Sequence, residues 1–180
     1  MLNRNYKRLK SILHRVLVIG CSGSGKSVFA RRLAVITGLP LYYLDMIWHR
    51  ADRTTVSRTK FDQELVEILA RNRWIIDGNF QRTLAKRLEC CDTVFLFDMP
   101  VEDCLAGVEA RIGQKRPDMP WIETGFDPDF RQWIMNFRKD RLPGIMALLE
   151  KKECVKVIFK NRGEADEYLA NLWETIEKDR

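Results

Sequence analysis

Residues 20–27 read Gly20-Cys21-Ser22-Gly23-Ser24-Gly25-Lys26-Ser27, which fits G-x-x-x-x-G-K-[ST] without departure. Glycine and serine let the backbone wrap a phosphate closely and turn successive N–H groups inward as an anion nest. A helix that begins here, running on through Val28, points its positive N-terminus at the same place. In such a loop the lysine, Lys26, reaches the β- and γ-phosphates, and the hydroxyl of Ser27 ligates Mg²⁺.

Two aspartates stand where apolar runs stop, Asp45 after Leu41–Leu44 and Asp77 after Trp74–Ile76. An aspartate that ends a strand beside a phosphate loop holds Mg²⁺, often through water, and Asp77 is assigned that role. The alternative is a turn aspartate, since Asp77-Gly78 is also a turn dipeptide. Asp98, before Met99-Pro100, reads as a strand-to-helix turn. Arginines gather later in the chain. Arg111, Lys115 and Arg116 lead into a segment punctuated by Pro117, Pro120, Gly125 and Pro128, and Arg131, Arg138, Lys139 and Arg141 follow. Phosphoryl transfer needs cations around the migrating group, and arginines flanking a mobile flap supply them on closure. For any one of them the alternative is a solvated helix face.

The elements that must position these residues follow from the pattern of apolar runs. Val16–Ile19, Leu41–Leu44, Trp74–Ile76, Thr93–Phe97 and Val155–Phe159 are too short for helices and rich in β-branched or aromatic residues, so each reads as a buried strand. Helical spacing of apolar residues spans 26–37, 59–71, 101–113, 128–140 and 164–177, with an exit at Gly38 and a start at Asp127-Pro128. The alternation predicts an α/β fold with a mainly parallel sheet covered on both faces. Ligands in such sheets bind outside the carboxyl ends of the strands.

Composition narrows the class. A chain of 180 residues, 46% hydrophobic and 31% charged, is neither disordered nor fibrous, and no apolar run is long enough to span a membrane. The net charge of +6 is uneven: Arg4, Lys7, Arg8, Lys10 and Arg15 face no acid within the first fifteen residues, leaving +1 for the rest. We expect a basic arm over residues 1–14 and one domain over 15–180, so a polyanion reading rests on the arm alone. Five cysteines with no C-x-x-C spacing fit reduced thiols in a cytoplasmic protein. Val18-Ile19-Gly20-Cys21 imitates a lipoprotein cleavage box, but the apolar stretch before it is too short for a secretory signal.

Taken in order, these residues resemble a P-loop kinase of the adenylate kinase and shikimate kinase-like group over about residues 14–175. Ile75-Ile76-Asp77-Gly78 is similar to the adenylate kinase stretch that leads into its AMP loop, and Phe95–Pro100 with Arg111 to the strand and helix that lead into its lid. Leu44-Asp45, Trp74–Phe80 and Arg116-Pro117-Asp118-Met119 more closely resemble bacterial DNA topology modulation (FlaR-like) proteins. The resemblance implies a three-layer fold with a five-stranded parallel sheet, a short lid over about 112–127, and ATP with Mg²⁺ as donor. It places Arg111, Asn161 and Arg162 on the nucleotide, and the acceptor near Asp45, Trp48, Asp77, Asn79 and Arg82. Arg111, Arg138 and Arg141 would neutralise the transition state, and Asp45 would orient or deprotonate the acceptor hydroxyl. Two departures stand out. Arg82 lies five residues after Asp77 where adenylate kinases carry an arginine at four, and the flap has no cysteine for a zinc staple. The alternative function is a nucleotide-binding, DNA-associated regulator without small-molecule turnover, with nucleic acid as partner; either is compatible with a monomer or a homodimer.

Overall fold

The computed structural model describes residues 13–178. Strand β1 (Arg15–Gly20) is followed by helix α1 (Lys26–Thr37), β2 (Leu41–Tyr43), the short α2 (Leu44–Trp48), α3 (Arg58–Leu69) and β3 (Trp74–Asp77). Then come α4 (Gln81–Cys90), β4 (Thr93–Phe97), α5 (Val101–Glu109), α6 (Pro128–Asp140), α7 (Leu142–Glu150), β5 (Val155–Phe159) and α8 (Arg162–Lys178). The five strands form one parallel sheet in the order β2-β3-β1-β4-β5, with helices on both sides. This is the α/β architecture that the alternation of apolar runs and helical spacing predicts.

Burial separates centre from edge. In β1, β3 and β4 nearly every side chain is buried, because these strands carry neighbours on both edges and helices on both faces. The edge strands are half-exposed, and β5 alternates along its length. The edge position of β2 explains one difference from the sequence reading. It pairs with β3 only from Leu41 to Tyr43, so Leu44 opens α2 and Asp45 sits in a helix's first turn rather than at a strand end. Helix α1 is fixed to the sheet by Phe29, whose ring lies 4.9 Å from Phe95 and 5.3 Å from both Phe97 and Phe159. Asp127 caps α6 by accepting the Phe130 N–H at 2.8 Å, with Pro128 in the first turn, as its sequence announces.

Helix α5 stops at Glu109, four residues before its periodicity runs out, and the chain turns through Gly113 at φ +78°. Helices α2, α4 and α7 have no counterpart in the sequence reading. Of the basic arm, Arg4, Lys7, Arg8 and Lys10 lie outside the described residues, whereas Arg15 opens β1 and donates its N–H to Asp92 at 2.7 Å. No helix among the described residues is long and apolar enough to cross a membrane.

Candidate active site

The chain crosses from one half of the sheet to the other at β1, which lies between β3 and β4, and the motif of residues 20–27 sits at its carboxyl end. Two of its glycines are enforced by packing. A Cβ on Gly20 (φ +143°) would lie 2.5 Å from the Phe97 carbonyl oxygen, and one on Gly23 (φ +80°) would lie 1.9 Å from that of Cys104. Gly25 starts α1 in the left-handed conformation, and Lys26 is only 7% exposed. Side chains from elsewhere hold the loop. Asn79 accepts the Gly20 N–H at 2.9 Å and donates to the Gly20 carbonyl at 2.5 Å. Arg162, at the start of α8, donates to the carbonyls of Gly23 (2.9 Å) and Asp103 (3.0 Å). The Cys21 and Cys104 thiols hydrogen-bond each other; that bond, with Lys26 and Arg162 nearby, draws the Cys104 pKa below its ordinary value.

Two cavities open on this loop. The larger, about 500 Å³, is walled by Gly23, Gly25, Ser27 and Val28 and ringed by cations, among them Arg31, Arg111, Lys115, Arg116 and Arg162. The smaller, about 270 Å³, is lined by Asp45, Asn79 and Ser22, by the aromatic Phe80, Trp133 and Phe137, and by Arg141. Lys26 lines both. A loop of amides, a helix N-terminus and a ring of arginines suit a polyphosphate in the first cavity. The second is of a size for a small metabolite.

The carboxylates behave as buried acids. Asp77 is 4% exposed; burial pushes its pKa up to about 6, against the pull of Lys26 and a hydrogen bond from the Ser27 hydroxyl. Its Oδ1 has no hydrogen-bond partner. Burial also raises the pKa of Asp45, and Lys26 and His49 oppose it. A hydroxyl beside an orphaned carboxylate oxygen fits the Mg²⁺ role expected of Ser27 and Asp77. Among the described residues no group of three or more His, Cys, Asp or Glu could hold a metal, so an ion held by Ser27 and Asp77 would take the rest of its shell from phosphate and water oxygens.

Of the arginines, Arg111 faces the larger cavity, where burial lowers its pKa and Glu123 binds it through Nε at 3.0 Å and Nη2 at 3.2 Å. Arg141 is at the smaller cavity and donates to Gln81 at 3.3 Å. Arg138 lines neither cavity: it is 52% exposed and pairs with Asp98 at 3.3 Å, a carboxylate that Lys160 also binds. Asp98 is therefore the buried tie between α6 and the end of β5, a role beyond the turn its sequence suggests. Arg82 also lies outside the cavities, in a two-bond pair with Asp62 (2.6 and 2.9 Å) at the surface. Trp48 stands behind the smaller cavity, edge-on to Phe61 at 5.5 Å and to Phe80 at 6.1 Å. Asn161 caps α8, exchanging hydrogen bonds with Glu164, and lines neither cavity. Asn79 faces the smaller cavity with its amide committed to Gly20.

Several contacts here escape a sequence reading, although the sequence does mark Arg116 as a flap cation. Arg31, one turn into α1, meets Asp118 at 3.3 Å, and Arg116 meets Asp118 at 2.6 Å and Glu123 at 3.1 Å, so the 110–127 segment is pinned across the larger cavity. Trp121 of that segment packs edge-on against His49 at 4.9 Å. Trp133 and Phe137 read as ordinary core positions of an amphipathic helix. Arg87, in α4, is wholly buried. No spacing rule distinguishes these roles; Arg31 and Trp121 depend on partners far away in the chain, and Arg87 on a chain reversal.

No family model matches this chain, and no curated protein is similar to it in sequence. Solved structures are similar in fold. A shikimate kinase from Acinetobacter baumannii, solved in complex with shikimate, superposes with a TM-score of 0.61 at 19% identity, over 97% of this chain and 98% of that one. A gluconokinase from Sinorhizobium meliloti gives 0.53 at 13% identity, over 93% of each chain. At these identities the likeness shows a shared architecture: the described residues have the fold of these kinases.

Proposed function

We propose that the protein is an ATP- and Mg²⁺-dependent kinase that phosphorylates a small-molecule acceptor. One observation carries the reading: Lys26 of the phosphate loop lines both cavities, so a polyphosphate in one and an acceptor in the other meet at its ammonium. The loop amides and Lys26 bind the β- and γ-phosphates, and Arg111 and Arg116 neutralise charge from the 110–127 segment, which serves as the lid. Ser27 and Asp77 hold Mg²⁺, which when bound screens the phosphate charge. Asp45 takes the proton of the acceptor hydroxyl as its oxygen bonds to the γ-phosphorus and the bond to the ADP oxygen breaks.

The smaller cavity also limits the acceptor. Among its polar groups, Asp45 suits a hydroxyl and Arg141 an anionic group, beside Ser22, Lys26, Asn79 and Gln81; Phe80, Trp133 and Phe137 offer apolar surface. Arg82, which a nucleoside monophosphate would need, is committed to Asp62. An acceptor with one reacting hydroxyl and a single anionic group fits better than a nucleotide. The motif likeness to DNA topology modulation proteins supports membership of that branch, but the basic arm on which a DNA-associated role rests lies outside the described residues.

The test is an ADP-release screen over hydroxy acids, sugar acids, nucleosides and nucleoside monophosphates, with Lys26→Ala alongside. Turnover with a hydroxylated acid that is abolished in Lys26→Ala is the expected result. ADP release equal in the two proteins, or none with any acceptor, sinks the reading.

A further inference from the structure

Arg87 is 0% exposed, and among the described residues no carboxylate lies within ion-pairing distance of it. Its guanidinium instead donates to three consecutive carbonyls, those of Gly78 (Nη1, 2.8 Å), Asn79 (Nη2) and Phe80 (Nη2, 3.1 Å). A buried cation with no carboxylate in contact, only the charge of Asp77 at longer range, is expensive, and an apolar side chain of the same length would fill the space at less cost. What the guanidinium alone supplies is a fixed fork of donors.

The loop under this fork is strained. Gly78 has φ +138°, with the Leu44 Cβ only 2.9 Å from where its own Cβ would stand. Phe80, a bulky residue, is left-handed at φ 30° and ψ 67°. Such conformations persist only where the surroundings over-determine them. Asp77, Asn79 and Phe80 also face the site. Asp77 lies by Ser27, Asn79 clamps Gly20 of the phosphate loop, and the Phe80 ring lines the smaller cavity and stacks on Phe61 at 5.0 Å.

We propose that Arg87 is a positioning residue: by gathering the carbonyls of residues 78–80 it sets, in one device, the register of the phosphate loop and the wall of the acceptor cavity. It touches neither ligand. Its effect on turnover rests on the kinase reading above, while its effect on the loop does not.

Two measurements keep these apart. The first is amide hydrogen exchange at Gly20, whose N–H is held by Asn79. In Arg87→Met, which removes the fork and the charge but keeps the bulk, that amide should lose about tenfold or more of its protection while β4 keeps its own. Wild-type protection at Gly20 overturns the proposal, whether or not the protein phosphorylates anything. If the methionine variant does not fold, Arg87→Lys, which retains charge but not the planar fork, is read by the same amide. The second is kinetic and uses the acceptor that the screen identifies. Arg87→Met should lower kcat per folded molecule, and with it kcat/KM for the acceptor, by about 10²-fold, and should also weaken Mg·ATP binding through the loosened phosphate loop. Arg87→Lys should recover part of the loss. A merely structural residue would lower the melting temperature and the two affinities together, with kcat per folded molecule unchanged, and that result rejects the positioning role. Wild-type protein that turns over no acceptor defeats the kinase reading and leaves the Gly20 amide to decide the matter of Arg87.

Discussion

At the scale of single residues, buried charge at this site is held at a cost to the fold. Asp77 has a folded pKa of about 6, above the ordinary 3.8 of a free aspartate. Between those values the folded protein binds a proton that the unfolded chain does not, so stability of the metal-free protein rises as pH falls from about 6 to 4 and is flat above about 6. Asp77→Asn should remove the penalty and raise stability at neutral pH by up to about 3 kcal/mol. Denaturant titrations at pH 5 and 7.5 will read this, and the Mg²⁺-dependence of ATP binding should disappear in the same variant. A loss of stability would mean that Asp77 is an ordinary structural acid. The arginines separate similarly. Arg141→Ala should lower kcat/KM by about 10²-fold, because Arg141 faces the acceptor cavity. Arg138→Ala should change stability by about 1 kcal/mol or less and leave turnover within a few-fold, because its half-exposed guanidinium is tied to Asp98. Steady-state kinetics on the pair decide it, and equal losses would place Arg138 in the site after all.

At the scale of elements, the phosphate loop depends on close contact with helix α5. A Cβ on Gly107 would stand 2.1 Å from the Gly23 carbonyl oxygen and 2.6 Å from Arg162 Nη2. Gly107 has ordinary helical geometry, so the requirement for glycine is one of space. Gly107→Ala should push α5 away from the loop, cost about 1–3 kcal/mol by overpacking, and weaken ATP binding by more than its stability loss explains. Calorimetric ATP titration beside thermal melts provides the check; an alanine variant that binds ATP normally would show that the loop tolerates the displacement. Gly38 makes the contrast. Nothing lies within 4 Å of its Cβ position, and only its φ of +67° at the exit of α1 favours glycine.

At the scale of the molecule, the buried strands β1, β3 and β4 make a fixed floor and the 110–127 segment borders the larger cavity. That segment is tied to α1 through Arg31–Asp118 and to the end of α2 through Trp121 on His49. Ligands in both cavities should slow hydrogen exchange in residues 110–127 while β1 and β4 are unchanged, since closure orders the segment and not the sheet. Uniform slowing across the chain would point to global stabilisation alone. Deleting residues 1–12 should leave Mg·ATP affinity within about twofold, and any DNA binding by the full chain should fall steeply with salt. Salt-resistant DNA binding lost on that deletion would restore the DNA-associated function.

The sequence by itself determined the glycine-rich loop of residues 20–27, the five strands and the parallel α/β class, because each is a local pattern: residues at fixed spacing in one turn, or apolar runs buried on both faces. It also announced α6 through Asp127-Pro128. It did not reveal α4, whose apolar positions Leu84 and Leu88 are few and whose Arg87 points inward, against the rule that charge lies outside. Nor did it separate Arg141 from Arg138, three residues apart in chain and alike in type. Tertiary structure decided those roles, because a guanidinium's function is fixed by what it faces: an open cavity for Arg141, the Asp98 carboxylate for Arg138, Asp62 for Arg82, and three backbone carbonyls for Arg87. Partners of that kind lie up to sixty residues away in chain, or follow a chain reversal, and no spacing rule in the sequence records them.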